Sequence, residues 1–197
     1  MTKGQKVLIL ISGPHGSGKS TVAKEVARRL GLKYVSAGEI FRLMALEKGM
    51  SIVEFTKYVE ENPEIDYEID KRMMKEMETG NAVVDSLLAY YFSSKIRLGD
   101  IIVIRMMIYA DKEVRIRRLM AREGIPRDEA EREIQAREES EKHRFKKLYG
   151  IDLWKEKDFD VIVNTSRLTI DQMIDLCLSI IKKLIQIKSS SISLSLN

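Results

Sequence analysis

Residues 13–21, GPHGSGKST, have the composition and spacing of a phosphate-binding loop. Glycines allow the backbone to fold its N–H groups around the β-phosphate of a nucleotide, and the N-terminus of the following helix adds its positive end. Lys19 is placed to reach the β- and γ-oxygens, and the hydroxyl of Ser20 is placed to ligate Mg²⁺. The loop therefore predicts a nucleoside triphosphate, ATP or GTP, bound with Mg²⁺. Its predicted nucleotide-binding residues are Gly13, Pro14, His15, Gly16, Ser17, Gly18, Lys19, Ser20 and Thr21.

The segments on either side of the loop are those that the motif requires. Residues 6–12 contain the apolar run VLILI, which is typical of a strand buried on both faces. Residues 19–30 carry apolar side chains at helical spacing, and Gly31 stops the helix. Within the loop, His15 is expected to act as a spacer rather than as a catalyst.

Four further short apolar segments predict strands, at residues 33–35, 82–84, 101–108 and 161–163. Helical patterns separate these segments along the chain. Strands that alternate with helices form a parallel sheet with helices on both faces. We therefore predict a three-layer α/β P-loop fold with a five-stranded parallel sheet. The phosphate-binding loop is expected in the crevice at the carboxyl ends of the strands.

Two helical segments leave this core and would overhang the edge that carries the loop. Residues 38–80 are expected to form an acceptor-binding insertion, whose first helix begins at a capping box of Ser36 and Glu39. Residues 113–150 are expected to form a short lid. Both belong to a single domain over residues 1–188. For residues 189–197, SSSISLSLN, we predict a disordered tail, with a paired edge strand as the alternative.

Asp85 follows the buried run AVV at the end of the third strand. P-loop enzymes place a carboxylate that holds magnesium and its waters at this position. The predicted metal site is therefore Ser20 with Asp85. The alternative is that Asp85 only begins a turn.

Arginines are the other signal for phosphate chemistry. Two groups of residues, one on each of two successive predicted helices, are spaced three and four residues apart, so that each group shares one face of its helix. Guanidinium groups match phosphate oxygens in pairs, so two such faces beside a Gly-Ile-Pro hinge predict a lid that closes on phosphates. The alternative is a solvated surface on which nearby glutamates pair with these arginines. The two groups are Arg115, Arg118 and Arg122, and then Arg137, Ser140 and Arg144.

The composition of the chain excludes several classes of binding partner and site. The net charge of +4 is compatible with a polyanion partner, but acidic and basic residues are interleaved, which favours a nucleotide pocket over a nucleic-acid surface. One cysteine excludes an internal disulfide, and two histidines make a Cys/His zinc site implausible. We find no signal-peptide pattern and no apolar run near the roughly 20 residues of a membrane span. We expect a cytoplasmic monomer with a small-molecule substrate, binding neither nucleic acid nor membrane.

Several longer segments resemble the archaeal-type cytidylate kinases, within the nucleoside monophosphate kinases. They are ISGPHGSGKSTVAKEVARRLGL, SAGEIFRLMA, EFTKYVEENPEID, REESEKHRFKKLYGID and DFDVIVNTS, in that order, and the resemblance extends to about residue 187. The later segments are far more discriminating than the loop. The resemblance implies a kinase that uses ATP and Mg²⁺ to convert CMP or dCMP to CDP or dCDP by in-line phosphoryl transfer.

The resemblance also implies roles for particular residues. Arg118 and Arg122 are similar to lid arginines, and Arg137 and Arg144 to arginines that clamp phosphates; with Lys19 they form the expected catalytic set. Ser166 and Arg167 fall where such kinases hold the adenine ring of ATP. The expected acceptor-binding residues are Ser36, Glu39, Arg42 and Asp85.

Two positions depart from the pattern of the family. Glu39 stands where Asp is usual, a change that its capping role absorbs. Leu87, in DSLLA, stands where an arginine that grips the acceptor phosphate is expected. Leu87 leaves open a kinase for another acceptor, either a different nucleotide or a small hydroxyl compound that would need Asp85 or Glu39 as a base. A third hypothesis, from another class, is a nucleotide-dependent switch protein that hydrolyses slowly.

Overall fold

The computed structural model describes residues 5–153 and 155–195, with the side chains of residues 192–195 outside the description. Five strands form one parallel sheet in the order β2-β3-β1-β4-β5, which confirms the predicted α/β fold. The strands are β1 Val7–Ser12, β2 Lys33–Ser36, β3 Ala82–Asp85, β4 Ile102–Tyr109 and β5 Val161–Asn164.

Eight α-helices connect and cover the strands in the described part of the chain. They are α1 Lys19–Leu30, α2 Ala37–Glu47, α3 Ile52–Glu61, α4 Glu64–Thr79, α5 Ala89–Phe92, α6 Lys112–Glu123, α7 Arg127–Tyr149 and α8 Ile170–Ser195. Local signals set several boundaries. Gly31 and Gly124 end α1 and α6 at φ angles of 64° and 69°, in the left-handed region that glycine adopts readily. Ser51 and Glu54 form a complete capping box at the start of α3.

The central strand β1 contributes to a core on each face of the sheet. Val7, Ile9 and Ile11 pack on one face, against α1 and α8. Leu8 and Leu10 pack on the other face, against helices that include α3 and α4. Because successive side chains of a strand point to opposite faces, a strand covered on both sides is apolar without interruption. This is why VLILI was readable as a buried strand.

The sheet places the phosphate-binding loop at its topological switch point. β1 lies between β3 and β4, so the chain crosses first to one side of β1 and later to the other. A crevice opens at the carboxyl end of the strand where the order reverses. The loop of residues 13–18 leaves β1 at this point and leads into α1.

The structure corrects the expectation of a disordered tail. Helix α8 continues to Ser195, well beyond residue 188, and residues 196 and 197 lie outside the described part of the chain. The hydroxyls of Ser190 and Ser191 donate to the carbonyls of Gln186 and Ile187 at 3.0 and 3.1 Å. Serine side chains can therefore bond within a helix as well as compete with it, which the serine-rich composition did not reveal. No helix in the described residues is long and apolar enough to cross a membrane.

Candidate active site

The phosphate-binding loop has a backbone that only glycine permits at two points. Gly13 has a φ angle of 143°, and a Cβ there would lie 1.9 Å from the carbonyl oxygen of Ile108. Gly16 has a φ angle of 76°, and a Cβ there would lie 2.8 Å from the carbonyl oxygen of Arg115. The loop is thus packed directly on β4 and α6, and it curls in front of the N-terminus of α1. This is the concave backbone that accepts a phosphate.

Two arginines of α6 hold the loop by its carbonyls. Arg118 donates to the carbonyl of Ser17 at 2.9 Å and to the carbonyl of Thr165 at 2.8 Å. The hydroxyl of Thr165 donates to the same Ser17 carbonyl at 2.8 Å. Arg115 donates to the carbonyl of His15 at 3.1 Å and also pairs with Glu138. Neither arginine lines the cleft in front of the loop, so in this structure Arg118 supports the loop from behind.

A cleft of about 1050 Å³, partly open to solvent, lies in front of the loop. It is bounded by the loop, by α2 and α4, by the β3–α5 turn, and by α6 and α7. Eleven of the expected site residues line it: His15, Gly16, Gly18, Lys19, Ser20, Thr21, Arg42, Asp85, Arg122, Arg137 and Arg144. The remaining eight do not: Gly13, Pro14, Ser17, Ser36, Glu39, Arg118, Ser166 and Arg167.

Three of the residues outside the cleft have other contacts. Ser36 accepts a hydrogen bond from the backbone N–H of Glu39 at 3.2 Å, which is half of the expected capping box. The Glu39 carboxylate instead pairs with Lys24 at 2.6 Å on the surface, so the other half is absent. Ser166, after β5, accepts from the N–H of Asp111 at 2.8 Å and donates to Asn164 at 2.7 Å. These bonds join the carboxyl ends of β4 and β5.

Lys19 and Asp85 face each other at the base of the cleft. Asp85 ends β3, where it pairs in register with Ile11 of β1, and it is only 3% exposed. It accepts a hydrogen bond from the Tyr34 hydroxyl at 3.0 Å. Burial lowers the pKa of Lys19, and the carboxylate of Asp85 opposes that effect. Lys19, Asp85 and Ser20 all line the cleft, and an ammonium, a carboxylate and a hydroxyl are groups that fit a polyphosphate and Mg²⁺.

A contact between His15 and Glu141 joins the loop to α7. Nε2 of His15 lies 2.8 and 3.0 Å from the two carboxylate oxygens of Glu141. Burial lowers the pKa of His15 to about 4, so that the neutral imidazole donates one N–H to the carboxylate. Burial alone would raise the pKa of Glu141, but His15, Arg137 and Arg144 together lower it to about 2. The spacer role expected of His15 overlooked this bond.

The arginines of α7 are buried beside the same carboxylate. Arg137 is 8% exposed, and its guanidinium lies 3.9 Å from Glu133 and 4.0 Å from Glu141, beyond hydrogen-bonding distance. It also lies 5.9 Å from the centre of the Phe41 ring, within the range of a cation–π interaction. Arg137 is thus held in the cleft by charge and by an aromatic face, with its donors available. Arg122 is more exposed and pairs with its neighbour Glu123 at 2.7 Å.

Two acidic residues of α4 line the cleft and were not among the expected site residues. Asp66 and Asp70 are buried, and burial raises the pKa values of their carboxyl groups to about 6 and about 7. The available signal was their spacing, because two acidic residues four positions apart lie on one helix face, and each directly follows a buried isoleucine, Ile65 or Ile69.

Leu87, in the β3–α5 turn, also lines the cleft and is half-buried. It packs against the apolar cluster under α2 to α5. The position where an arginine was expected is therefore apolar in this chain, as the sequence indicated.

The matches with known proteins agree with this geometry. The chain matches the cytidylate kinase-like family over residues 8–167. It is 39% identical over 184 residues to a cytidylate kinase of Methanopyrus kandleri, covering 91% of this chain and 95% of that protein. It is 42% identical over 176 residues to a cytidylate kinase of Archaeoglobus fulgidus, covering 88% and 94%.

Among solved structures, the chain is similar to a shikimate kinase from Bacteroides thetaiotaomicron, with a TM-score of 0.55 and 19% identity over 91% of this chain and 98% of that one. Identity that low supports a shared fold and no more. The match to the family model is a match of sequence and supports more. It extends from β1, through the phosphate-binding loop and the helical segments of residues 38–80 and 113–150, to the residues after β5. The chain therefore belongs to the cytidylate kinase-like family.

Proposed function

We propose that this protein transfers the γ-phosphoryl group of ATP, bound with Mg²⁺, to CMP or dCMP. One observation carries the proposal: the phosphate-binding loop with Lys19 and the buried guanidinium of Arg137 line a single cleft, and among the described residues no carboxylate is hydrogen-bonded to Arg137. A cleft with a cation on each side fits two phosphorylated molecules that meet in the middle. The names of the archaeal relatives, at about 40% identity over most of the chain, support cytidylate as the acceptor.

The loop is the donor half of the proposed site. Its backbone N–H groups and Lys19 would hold the β- and γ-phosphates, and the Ser20 hydroxyl with Asp85 would hold Mg²⁺ and its waters. The ion would neutralise charge on the phosphates and fix their orientation. Tyr34 donates to Asp85 and thereby orients the carboxylate toward the loop. Residues 166 and 167, which follow β5 beside the loop, remain our prediction for the adenine end.

The chemistry requires positioning rather than a base. An oxygen of the acceptor's α-phosphate attacks the γ-phosphorus, the bond from that phosphorus to the β–γ bridging oxygen breaks, and ADP leaves with the electron pair. The attacking oxygen is already anionic, so no proton has to be removed. Lys19, Arg122 and Arg137 would stabilise the charge on the transferred group. Arg118 would act indirectly, because it holds the phosphate-binding loop in place through the Ser17 carbonyl.

Residues 38–80 and 113–150 are proposed as the acceptor-binding insertion and the lid. The acceptor side of the cleft comes from α2, with Arg42, and from α4, with Asp66 and Asp70. The lid side comes from α6 and α7, which pack on each other through a small apolar cluster of their own, separate from the two cores on the sheet. A helix pair with its own cluster can move as a unit, which is what closure over two substrates requires.

Leu87 keeps a different acceptor as the second candidate. A small hydroxyl acceptor, however, would need a carboxylate base in the cleft. Asp85 is bonded to Tyr34 at 3.0 Å, and Glu39 is bonded to Lys24 outside the cleft. Neither of these two carboxylates is therefore placed for that role, because Asp85 is assigned to Mg²⁺ and Glu39 does not line the cleft. A switch protein would not require the buried arginine of the lid.

The test measures ADP release by a coupled assay with CMP, dCMP, UMP, AMP and a panel of hydroxyl acceptors. We expect CMP and dCMP to be the best acceptors and release to be negligible without an acceptor. Lys19→Ala should lower turnover by about 10²-fold or more, as expected for a lost contact to developing charge. The matched control is Lys33→Ala, a surface lysine that pairs with Glu76. Release with CMP no faster than in buffer, or normal turnover by Lys19→Ala, would refute the proposal.

A further inference from the structure

Asp66 and Arg144 form a buried ion pair in the cleft without completing a hydrogen bond to each other. Oδ2 of Asp66 lies 3.0 Å from Nε of Arg144, yet in the described residues neither atom has a hydrogen-bond partner, because the two groups meet at unsuitable angles. The two residues are 4% and 5% exposed, and both line the cleft. Buried polar atoms in proteins are nearly always bonded. The ion pair thus leaves an acceptor and a donor whose hydrogen bonds are incomplete, in a cleft that a ligand can enter.

A second carboxyl group lies beside this pair. Asp70 is one helical turn after Asp66 on α4 and is 7% exposed. The Tyr149 hydroxyl donates to its Oδ2 at 2.6 Å and fixes the orientation of the carboxyl group. Tyr149 itself is held among other aromatic rings, including Phe92 and Phe145. The cleft thus presents two carboxyl groups and one guanidinium, in a fixed arrangement.

We propose that Asp66, Asp70 and Arg144 bind the base of the acceptor nucleotide and select cytosine through its 4-amino group. The inference rests on the proposed function and specifies its acceptor. The amino group of cytosine offers two N–H donors, one for each carboxyl group, and the adjacent ring nitrogen and 2-carbonyl accept from a guanidinium. Uracil has a carbonyl at position 4 and would place an acceptor against the carboxyl groups. The three residues therefore reject uracil as well as accept cytosine.

The surroundings of the pair make an amino group a favourable partner. Burial raises the pKa values of both carboxyl groups, and each is further raised by a neighbouring acid, Glu141 for Asp66 and Asp66 for Asp70. Arg144 opposes the effect at both positions, and so does the Tyr149 hydroxyl at Asp70. The two carboxyl groups thus have few hydrogen-bond donors around them for groups that are so deeply buried. The two N–H groups of an amine supply them without adding a charge.

Steady-state kinetics with Asp66→Asn and Asp70→Asn test the inference. The ratio of kcat/KM for CMP to that for UMP should fall about 10- to 100-fold in each variant, the range expected for a hydrogen bond to a charged group. Glu68→Gln, an exposed acid on the same helix that pairs with Arg72, is the matched control and should keep the ratio within about twofold of the wild type. A carboxyl group that only supported Arg144 would lower kcat for both nucleotides and leave the ratio unchanged. An unchanged ratio in folded variants would overturn the inference.

A substrate analogue tests the same assignment of the base-binding residues in the unmutated protein. N4,N4-dimethyl-CMP keeps the cytosine ring and lacks both amino hydrogens. With the wild-type protein its kcat/KM should be at least about tenfold below that of CMP, and equal use would overturn the inference. If the wild type phosphorylates neither CMP nor dCMP, the proposed function fails. If it prefers CMP, but the analogue and the variants do not change that preference, only the assignment of the base-binding residues fails.

Discussion

Replacing Glu141 by glutamine should move stability and ligand affinity in opposite directions. Glu141 is a buried carboxylate between the His15 side chain of the loop and the guanidinium of Arg137 on the lid helix. No phosphate has to be bound for this arrangement to hold, because the carboxylate supplies the negative charge that the cleft otherwise lacks. Glutamine has nearly the same shape and keeps an oxygen that can accept from His15. The substitution therefore removes the charge and little else.

The structure gives the size of both effects. The guanidinium of Arg137 lies 4.0 Å from Glu141, a separation at which two unit charges interact by about 4 kcal/mol at an effective dielectric constant of 20. Part of this is offset, because a neutral amide is easier to bury than a carboxylate, so we expect the free energy of unfolding to fall by about 2–4 kcal/mol. A nucleotide phosphate would no longer compete with the carboxylate for Arg137. Its affinity should rise by about tenfold, which corresponds to roughly 1.4 kcal/mol.

The measurement combines urea unfolding with calorimetric titration of ATP and of CMP. Glu139→Gln is the control, because Glu139 is exposed on the same helix and accepts a hydrogen bond from the neutral side chain of Gln135 at 2.8 Å. We expect the Glu141→Gln protein to be less stable alone and to gain more stability from bound nucleotide than the wild type does. Weaker nucleotide binding, with the fold intact, would show that Glu141 positions the arginines and does not compete for them. Unchanged stability would refute the charge argument itself.

Three further predictions concern single residues. Arg118→Met should lower the free energy of unfolding by about 1–3 kcal/mol and reduce kcat with CMP, because the Ser17 carbonyl loses a charged donor; calorimetry and turnover check this. Asp70→Asn should remove a pH dependence of stability, because the folded-state pKa of Asp70, about 7, lies above its ordinary value of 3.8. The wild type should therefore lose stability as pH rises from about 4 to 7, by up to about 1.4 kcal/mol per pH unit, and urea unfolding should show a flatter pH profile in the variant. Leu87→Arg should lower the KM for CMP by about tenfold if the position faces the acceptor phosphate, and an unchanged KM would show that the position is irrelevant to the acceptor.

The fold was predictable because its determinants are local. A doubly covered strand is apolar throughout, as in VLILI, and helix ends carry glycines such as Gly31 and Gly124, whose φ angles are positive. The tail was the exception. Its serine-rich composition predicted disorder, yet the hydroxyls of Ser190 and Ser191 donate to carbonyls one turn earlier, and helix α8 continues through these residues.

The site was only partly predictable because its contacts are not local. His15 and Glu141 are 126 residues apart in sequence, and no spacing rule connects a loop residue to a position on a long charged helix. The helical spacing placed Arg115 and Arg118 on one face, and it could not show that this face packs on the back of the loop. Which side of a helix meets which neighbour is decided by packing in three dimensions.

The two interpretations of the arginines, a surface of ion pairs or a phosphate-binding lid, are not alternatives. Arg122 pairs with Glu123 on the surface, whereas Arg137 is buried in the cleft, and the carboxylates that lie near it in the described part of the chain are 3.9 and 4.0 Å away. A cleft that must accept several negative charges cannot leave its cations wholly uncompensated in the absence of substrate, because buried like charges repel. Carboxylates at hydrogen-bonding distance would compensate them too well and compete with phosphate. Glu141, at 4.0 Å from Arg137, lies between these limits: near enough to stabilise the empty cleft, and too far to occupy the donors that a phosphate needs.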